Sequence, residues 1–166
     1  AAAVTGIARS LMVEGEKRTL AQIEAAFSFR DRFFIRDEAG RTHYSVEGEV
    51  FTWGKRLHLY DAAGRECAFL RQKAFSFLPT FFVERDGEEV ARIVKHFTFF
   101  SQEYDVEGPG WTVEGDFTAH DYEISCGGMT VARVHKRWFN WGDCYEAEFD
   151  DGADAVLIVC VVLAID

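Results

Sequence analysis

The segment Ala155-Val-Leu-Ile-Val-Cys-Val-Val-Leu-Ala-Ile165 decides the fold of this 166-residue chain, because it is apolar on every side. Its β-branched residues favour a strand, whereas its length exceeds that of the usual strand. Asp154 stands in the position of a helix N-cap, and Asp150 and Asp151 precede it near the positive end of the helix dipole. We favour the helix, and a helix without a polar face has to be enclosed by protein.

A pair of aromatic residues separated by one position recurs along the chain at intervals of about 22 residues. A period in that range is typical of a repeated supersecondary element, which we interpret as a β-hairpin. We expect the aromatic side chains to form layers of the core, in preference to a platform for stacking nucleic-acid bases. The pairs are Phe27/Phe29, Phe51/Trp53, Phe75/Phe77, Phe97/Phe99 and Phe139/Trp141.

Turn signals and alternating segments lie between the aromatic pairs. Asp61-Ala-Ala-Gly64 and Asp86-Gly87 are typical of tight turns. Apolar and polar residues alternate with a period of two in Tyr44–Val50, Trp111–Phe117 and Tyr145–Phe149, so we expect the apolar residues of each segment to share one face. This pattern predicts a meander of about twelve antiparallel strands, and closing such a sheet removes its edges. We therefore predict a mostly β fold, in which a closed antiparallel barrel surrounds a buried hydrophobic C-terminal α-helix.

The start of the chain carries little structural signal. Residues 1–18 show no clear periodicity, so we interpret them as an N-terminal lead-in and residues 19–166 as a single barrel domain. We detect no secretory signal there, and the apolar tail is shorter than the roughly 20 residues that span a bilayer as a helix. The cysteines form no C-x-x-C pair, so we expect reduced thiols and a cytoplasmic location. They are Cys67, Cys126, Cys144 and Cys160.

The charge balance weighs against one class of partner. The chain has 18 Lys and Arg against 28 Asp and Glu, which gives a net charge of −10 at pH 7. A general nucleic-acid binder neutralises phosphates with a basic surface, so we expect no nucleic-acid partner. A local basic groove is still compatible with this balance.

Several motifs near the C-terminus carry a resemblance to a known family. Trp111-Thr-Val-Glu-Gly-Asp-Phe117 precedes His120-Asp-Tyr-Glu-Ile124, and Val131-Ala-Arg-Val-His-Lys-Arg-Trp-Phe139 precedes Trp141-Gly-Asp143. With the closing segment through Asp166, they resemble the LURP-one-related family, which belongs to the tubby C-terminal-like superfamily together with tubby proteins and phospholipid scramblases. The resemblance extends over roughly residues 20–166. It implies a twelve-stranded barrel around a hydrophobic C-terminal helix.

The resemblance also implies a kind of ligand. In tubby proteins the fold is associated with binding of phosphoinositide headgroups at basic residues on the outside of the barrel. Basic residues precede three aromatic pairs here, and two arginines lie in equivalent Val-Ala-Arg triplets, so adjacent units would align them into a positive stripe. The alternative is a set of solvated outward positions that discourage edge pairing. The candidate residues for binding an anion or lipid are Lys73, Arg92, Lys95, Arg133, Lys136 and Arg137.

Catalytic patterns are weak in this sequence. The five histidines show no metal-ligand spacing, and the chain has no nucleophile elbow or phosphate-binding glycine loop. His120, Asp121 and Cys126 would make a metal or proton-transfer cluster only if folding brought them together, and Cys144 beside Asp143 is more typical of a packed thiol. We predict no catalytic residue, metal or cofactor.

These observations lead to two functional hypotheses. The first is a non-enzymatic binding or scaffold barrel that binds anionic lipid headgroups or phosphorylated ligands, in the cytoplasm or peripherally at a membrane. The second is a soluble protein-interaction or small-ligand module without lipid binding. An enzyme ranks third, and would require His120, Asp121 or Cys144 to meet in a cleft that solvent reaches.

Overall fold

The structure, a computed structural model, describes residues 8–15, 32–37, 39–49, 53–97, 102–116, 121–139, 142–150 and 152–165. Within these residues it contains twelve strands and one helix. The predictions of a mostly β, antiparallel fold and of a C-terminal helix are confirmed. The elements are β1 (Ala8–Gly15), β2 (Arg32–Arg36), β3 (Thr42–Gly48), β4 (Arg56–Asp61), β5 (Glu66–Gln72), β6 (Thr80–Arg85), β7 (Glu88–Phe97), β8 (Gln102–Glu107), β9 (Trp111–Asp116), β10 (Asp121–Cys126), β11 (Met129–Phe139), β12 (Gly142–Asp150) and α1 (Ala155–Ile165).

Each strand pairs with its neighbours in the chain, and β1 also pairs with β12, so the order of strands closes into a barrel. This pairing places Ala8–Gly15 in the sheet and so corrects the interpretation as a lead-in for these residues, while the rest of residues 1–18 lie outside the described part. The register of β1 places Leu11 opposite Ala147 and Val13 opposite Tyr145. The short β1 segment has only a few alternating positions, too few for its pattern to stand out without its partner β12.

Alternation within the strands decides which side chains face the helix. Val46 in β3, Val113 in β9 and Ala147 in β12 are each 1% exposed or less. Their neighbours in sequence are half-buried or exposed. The predicted inner faces of these three strands are therefore confirmed, and the barrel interior is lined by apolar residues.

Helix α1 lies inside this apolar lining, with Ala155 to Ala164 all buried. At its N-terminus the Leu157 amide donates to Asp154 Oδ1 at 3.2 Å, which confirms the predicted cap. Arg85 at the end of β6 holds the other carboxylate oxygen of Asp154 at 2.8 Å. At the far end, Lys55 Nζ donates to the Leu163 carbonyl at 3.0 Å. A cation there complements the negative end of the helix dipole.

These contacts distinguish the two ends of the barrel. We call one the turn end, because it holds the tight turns Asp37–Arg41, Asp61–Arg65 and Asp86–Gly87 and the start of the helix. We call the other the rim end. There β4 begins, β5 ends, β6 begins and β7 ends, as the antiparallel registers require.

The expectation that the aromatic pairs form core layers is wrong for the four members whose side chains the structure describes. Trp53, Phe75, Phe77 and Phe97 are 62 to 100% exposed. A feature that recurs once per hairpin returns to the same end of a meander, and these residues lie at loops or strand termini of the rim end. The side chains of the other members lie outside the described part: Phe27, Phe29, Phe51, Phe99, Phe139 and Trp141.

Truncation of the central helix provides a test of its packing. Ile158 is fully buried, so Ile158→Ala removes apolar contacts and leaves a cavity. We expect the free energy of unfolding to fall by about 2–5 kcal/mol in urea denaturation. Met129→Ala, at a side chain that is 76% exposed, is the control and should change stability by less than about 0.5 kcal/mol. Equal unfolding midpoints for the two variants would contradict the enclosed helix.

Candidate functional site

Three arginines align across four neighbouring strands on the outer face of the barrel. Arg56 in β4 lies opposite Arg71 in β5, Arg71 lies opposite Phe82 in β6, and Phe82 lies opposite Arg92 in β7. The arginines point outward because the residues next to them in sequence, Leu57, Leu70 and Ala91, are buried in the barrel interior. We call Arg56, Arg71 and Arg92 the arginine row.

Aromatic rings hold the guanidinium groups of the row in place. The Arg71 and Arg92 guanidinium carbons lie 4.3 and 5.0 Å from the centroid of the Phe82 ring. Arg56 lies 5.0 Å from the ring of Phe69, its diagonal neighbour on β5. Stacking of this kind contributes about 0.5–1 kcal/mol at exposed sites. It also orients each planar fork of N–H donors, which fits the oxygens of a phosphate or carboxylate.

Each arginine of the row also meets a carboxylate through its Nε atom. Arg56 Nε contacts Glu49, and Arg71 Nε lies 3.9 Å from Glu84. Arg92 Nε lies 3.3 Å from Glu89 and 3.9 Å from Glu107. Since exposed ion pairs of this length contribute only about 0–1 kcal/mol, a multiply charged anion can compete for these guanidinium groups.

His58 lies two residues after Arg56 on the same outer face of β4. Its ring stacks on Phe69 with centroids 4.5 Å apart, and its two nitrogens lie 3.0 Å from Glu49 and 2.7 Å from Glu66. Burial disfavours the charged ring, but the hydrogen bonds that the Glu49 and Glu66 carboxylates accept from it outweigh burial and raise the pKa of His58 above 6.5. The hydrogen bond that Glu49 accepts from His58, and next the one that it accepts from Arg56, lower the pKa of Glu49.

Two of the predicted lysines lie at the rim end, near the arginine row. The amide of Lys73, just after β5, donates to the Thr80 carbonyl at 2.8 Å, and the Lys73 side chain is exposed. Lys95 lies two residues after the buried Ile93 in β7 and therefore on the same face, so it points toward the barrel mouth. Its ammonium lies 5.1 Å from the Phe97 ring and 5.8 Å from the Tyr104 ring.

The predicted stripe is divided between two regions of the barrel. Arg92 on β7 and Arg133 on β11 occupy equivalent outward positions, but β8, β9 and β10 separate them. Arg133 Nε lies 3.5 Å from Glu123. Lys136 and Arg137 lie opposite Tyr145 and Cys144 in the β11–β12 register, and their side chains lie outside the described part. Only Arg92 of these four residues joins the arginine row.

Arg56 and Arg71 are the residues that sequence reasoning missed. Both alternate with leucines, Leu57 and Leu70, that pair with each other across the β4–β5 hairpin. The turn Asp61–Arg65 is held by Asp61, which accepts the amides of Ala63 and Arg65. A register shift between Leu59 and Tyr60 then brings Arg56 opposite Arg71. A register drawn outward from the turn without this irregularity would place Arg56 opposite Leu70, so the sequence pattern carried no signal for the arginine pair.

The residues considered for catalysis do not form one cluster among those that the structure describes. Asp121 pairs with His135 at 3.0 Å, while His120 and the Cys144 side chain lie outside the described part. Within the described ranges no group of three or more His, Cys, Asp or Glu side chains is arranged to hold a metal ion. Cys160 is a free thiol inside the barrel, and burial raises its pKa to about 12.

Comparison with known proteins decides the family. A profile of the LURP-one-related family matches residues 18–166. The chain belongs to the LURP-one-related family. It is similar to the uncharacterized protein YxjI of Bacillus subtilis (strain 168), with 28% identity over 140 residues that cover 84% of this chain and 86% of YxjI.

A solved structure has a similar fold. An X-ray structure of an Arabidopsis thaliana protein matches this chain with a TM-score of 0.66 and 16% sequence identity, covering 96% of this chain and 90% of the other. At that identity the likeness concerns the fold alone. In the part of the chain that the structure describes, no helix combines the length and apolar character needed to cross a membrane.

The carboxylates beside His58 lead to a prediction about its titration. We expect an NMR titration to give His58 a pKa above 6.5, and Glu66→Gln to lower it. Because the folded-state pKa is raised, protonated His58 stabilises the fold fully below about pH 6.5, and this contribution is lost as pH rises through the folded-state value. A His58 pKa that stays the same in Glu66→Gln would show that the Glu66 contact does not form in solution.

Proposed function

We propose that this LURP-one-related domain is a non-enzymatic binding module whose ligand carries phosphate, either as an anionic lipid headgroup or as a phosphorylated ligand. The proposal extends the predicted anion-binding set, which includes Lys73, Arg92 and Lys95, by adding Arg56 and Arg71. It also includes the link to the tubby C-terminal-like superfamily and a cytoplasmic location, peripheral at a membrane when lipid is bound.

The observation that carries the proposal is the arginine row in register on strands β4 to β7. Guanidinium groups stacked on Phe69 and Phe82 present several N–H donors to one side. Bidentate hydrogen bonds to an ionised phosphate are about twice as strong as neutral ones. The row lies on the outer face of the sheet, open to water, which suits reversible binding of a charged group better than chemistry that excludes water.

Part of the net charge of −10 lies far from this site. Asp37, Asp61 and Asp86 lie in turns at the opposite end of the barrel. A six-residue strand spans roughly 20 Å, whereas the Debye length at physiological salt is about 8 Å. Solvent ions therefore screen these acidic turns from an anion bound near the rim end.

Charge removal within the row tests the proposal. We expect wild-type protein to bind inorganic pyrophosphate, vesicles that contain phosphatidylserine, or both, with affinity that falls as salt rises. Arg71→Gln combined with Arg92→Gln should weaken this binding at least about tenfold, since two charge-assisted contacts are lost. Calorimetry and vesicle sedimentation measure the two probes separately and distinguish a free phosphate from a lipid source.

The control changes the same charge at the turn end. Arg41 and Arg65 are paired with Asp37 and Asp61 in exposed turns, and Arg41→Gln with Arg65→Gln gives the double variant the same net charge. This control should bind as the wild type does. If the wild-type protein binds neither probe, or if both double variants lose affinity equally, the arginine row is not an anion site.

A further inference from the structure

Four large aromatic side chains are exposed at the rim end. Trp53 is 85% exposed, Phe75 98%, Phe77 100% and Phe97 62%. We call these four residues the aromatic rim. Isolated apolar residues on a protein surface are ordinary, but a group at one end of a domain indicates a surface that meets an apolar partner.

The loop that carries Phe75 and Phe77 is built to hold both rings outward. The Ser76 hydroxyl, between them, donates to the Leu78 carbonyl, and the Thr80 hydroxyl donates to the same oxygen at 2.9 Å. Phe75 has a φ of 55°, in the left-handed region that bulky residues rarely adopt. Backbone of this kind concentrates at functional sites, where the surrounding contacts maintain it.

Hydrogen bonds join the segments of the rim into one continuous edge. The Gln72 amide donates to the Lys55 carbonyl at 2.8 Å, and the Lys55 amide donates to Gln72 Oε1 at 3.1 Å. These bonds tie the segment after Trp53 to the end of β5. The Lys95 amide donates to the Pro79 carbonyl at 2.9 Å and ties the next loop to the end of β7.

The charges around the rim are unequally distributed. The arginine row occupies the outer face of β4 to β7, the strands that adjoin the rim segments, and Lys73 directly precedes the Phe75 loop. On the two strands that follow β7 around the barrel, Glu103 on β8 lies opposite Glu114 on β9. The rim therefore adjoins one outer face on which arginines lie beside their partner carboxylates and a neighbouring face that carries this acidic pair.

We propose that the aromatic rim inserts into the interfacial region of a bilayer that contains anionic phospholipid. The electrostatic part of this inference rests on the proposed function, because the arginine row would contact the lipid phosphates. Aromatic rings favour the boundary between headgroups and acyl chains, and basic residues near an anionic surface add to the attraction. A phosphopeptide would satisfy the arginines but would leave the four rings in water.

The arginine row lies back from the rim, on the side away from the bilayer. Arg92 precedes Phe97 by five residues of β7, about 17 Å along the strand. With the rings buried about 5–10 Å into the headgroup region, Arg92 therefore lies at or just beyond the outer headgroups. In this orientation the C-terminal end of α1 and Lys55 face the membrane, while the acidic turns Asp37–Arg41 and Asp61–Arg65 face away from it.

The experiment compares vesicle binding with binding of a soluble phosphate probe. Phe75→Ser combined with Phe77→Ser removes two rings without changing charge, and Met129→Ser, at an exposed residue of the turn end, is the control. The probes are phosphatidylcholine vesicles with and without phosphatidylserine, and inorganic pyrophosphate. We expect the double Phe variant to lose at least about tenfold in binding to the anionic vesicles, with pyrophosphate binding unchanged and Met129→Ser at wild-type levels.

The outcomes separate this inference from the proposed function. If the double Phe variant binds anionic vesicles as tightly as wild type, or if wild type binds pyrophosphate but no vesicles, the rim does not insert, while the arginine row stands. If Arg71→Gln with Arg92→Gln leaves vesicle binding intact but the double Phe variant abolishes it, the arginine row is not the anion site, while insertion of the aromatic rim is supported. If sedimentation shows that wild type is a dimer and that the double Phe variant is a monomer, the rim contacts a second copy, and insertion is overturned.

Discussion

The enclosure of one fully apolar helix is the constraint on which the rest of this structure depends. A helix with no polar face is stable only where protein surrounds it, and here the inner faces of the strands supply that surrounding. Charged side chains at both ends fix the direction in which the helix lies in the barrel. Asp154 and Arg85 hold its N-terminus at the turn end, and Lys55 binds its last turn at the rim end. The two ends of the barrel therefore differ chemically, which a symmetric ring of hairpins would not achieve.

The outer surface follows from the inner one. Because side chains of a strand alternate between faces, burying Leu57, Leu70 and Ala91 against the interior sends Arg56, Arg71 and Arg92 outward. The hairpin registers then bring them level with one another around Phe82. The candidate site is thus a consequence of core packing in neighbouring strands, and Phe82 contributes to it by stacking with two guanidinium groups that would otherwise repel each other.

Sequence reasoning succeeded where a local rule was sufficient. The apolar run and the Asp154 cap predicted helix α1, and alternation predicted the inner faces of β3, β9 and β12. It failed where the answer depended on pairing between strands. The basic residues were expected to follow the repeat, which joins Arg92 to Arg133, whereas the structure joins Arg92 to Arg71 through β6. Strand β1 was missed for the same reason, since its identity depends on β12.

The aromatic repeat illustrates the difference between period and position. Residues spaced by one hairpin lie at the same end of a meander. The spacing does not predict whether they lie within a strand, where they can be buried, or at its terminus. Burial was the ordinary expectation for phenylalanine, yet Ser76 and Thr80 turn their hydroxyls to the Leu78 carbonyl while Phe75 and Phe77 are left in solvent. In an antiparallel meander, any side chain repeated at hairpin intervals is brought to one edge. The repeat therefore gathers single exposed aromatic residues into one apolar surface at the rim end, opposite the end where the helix begins.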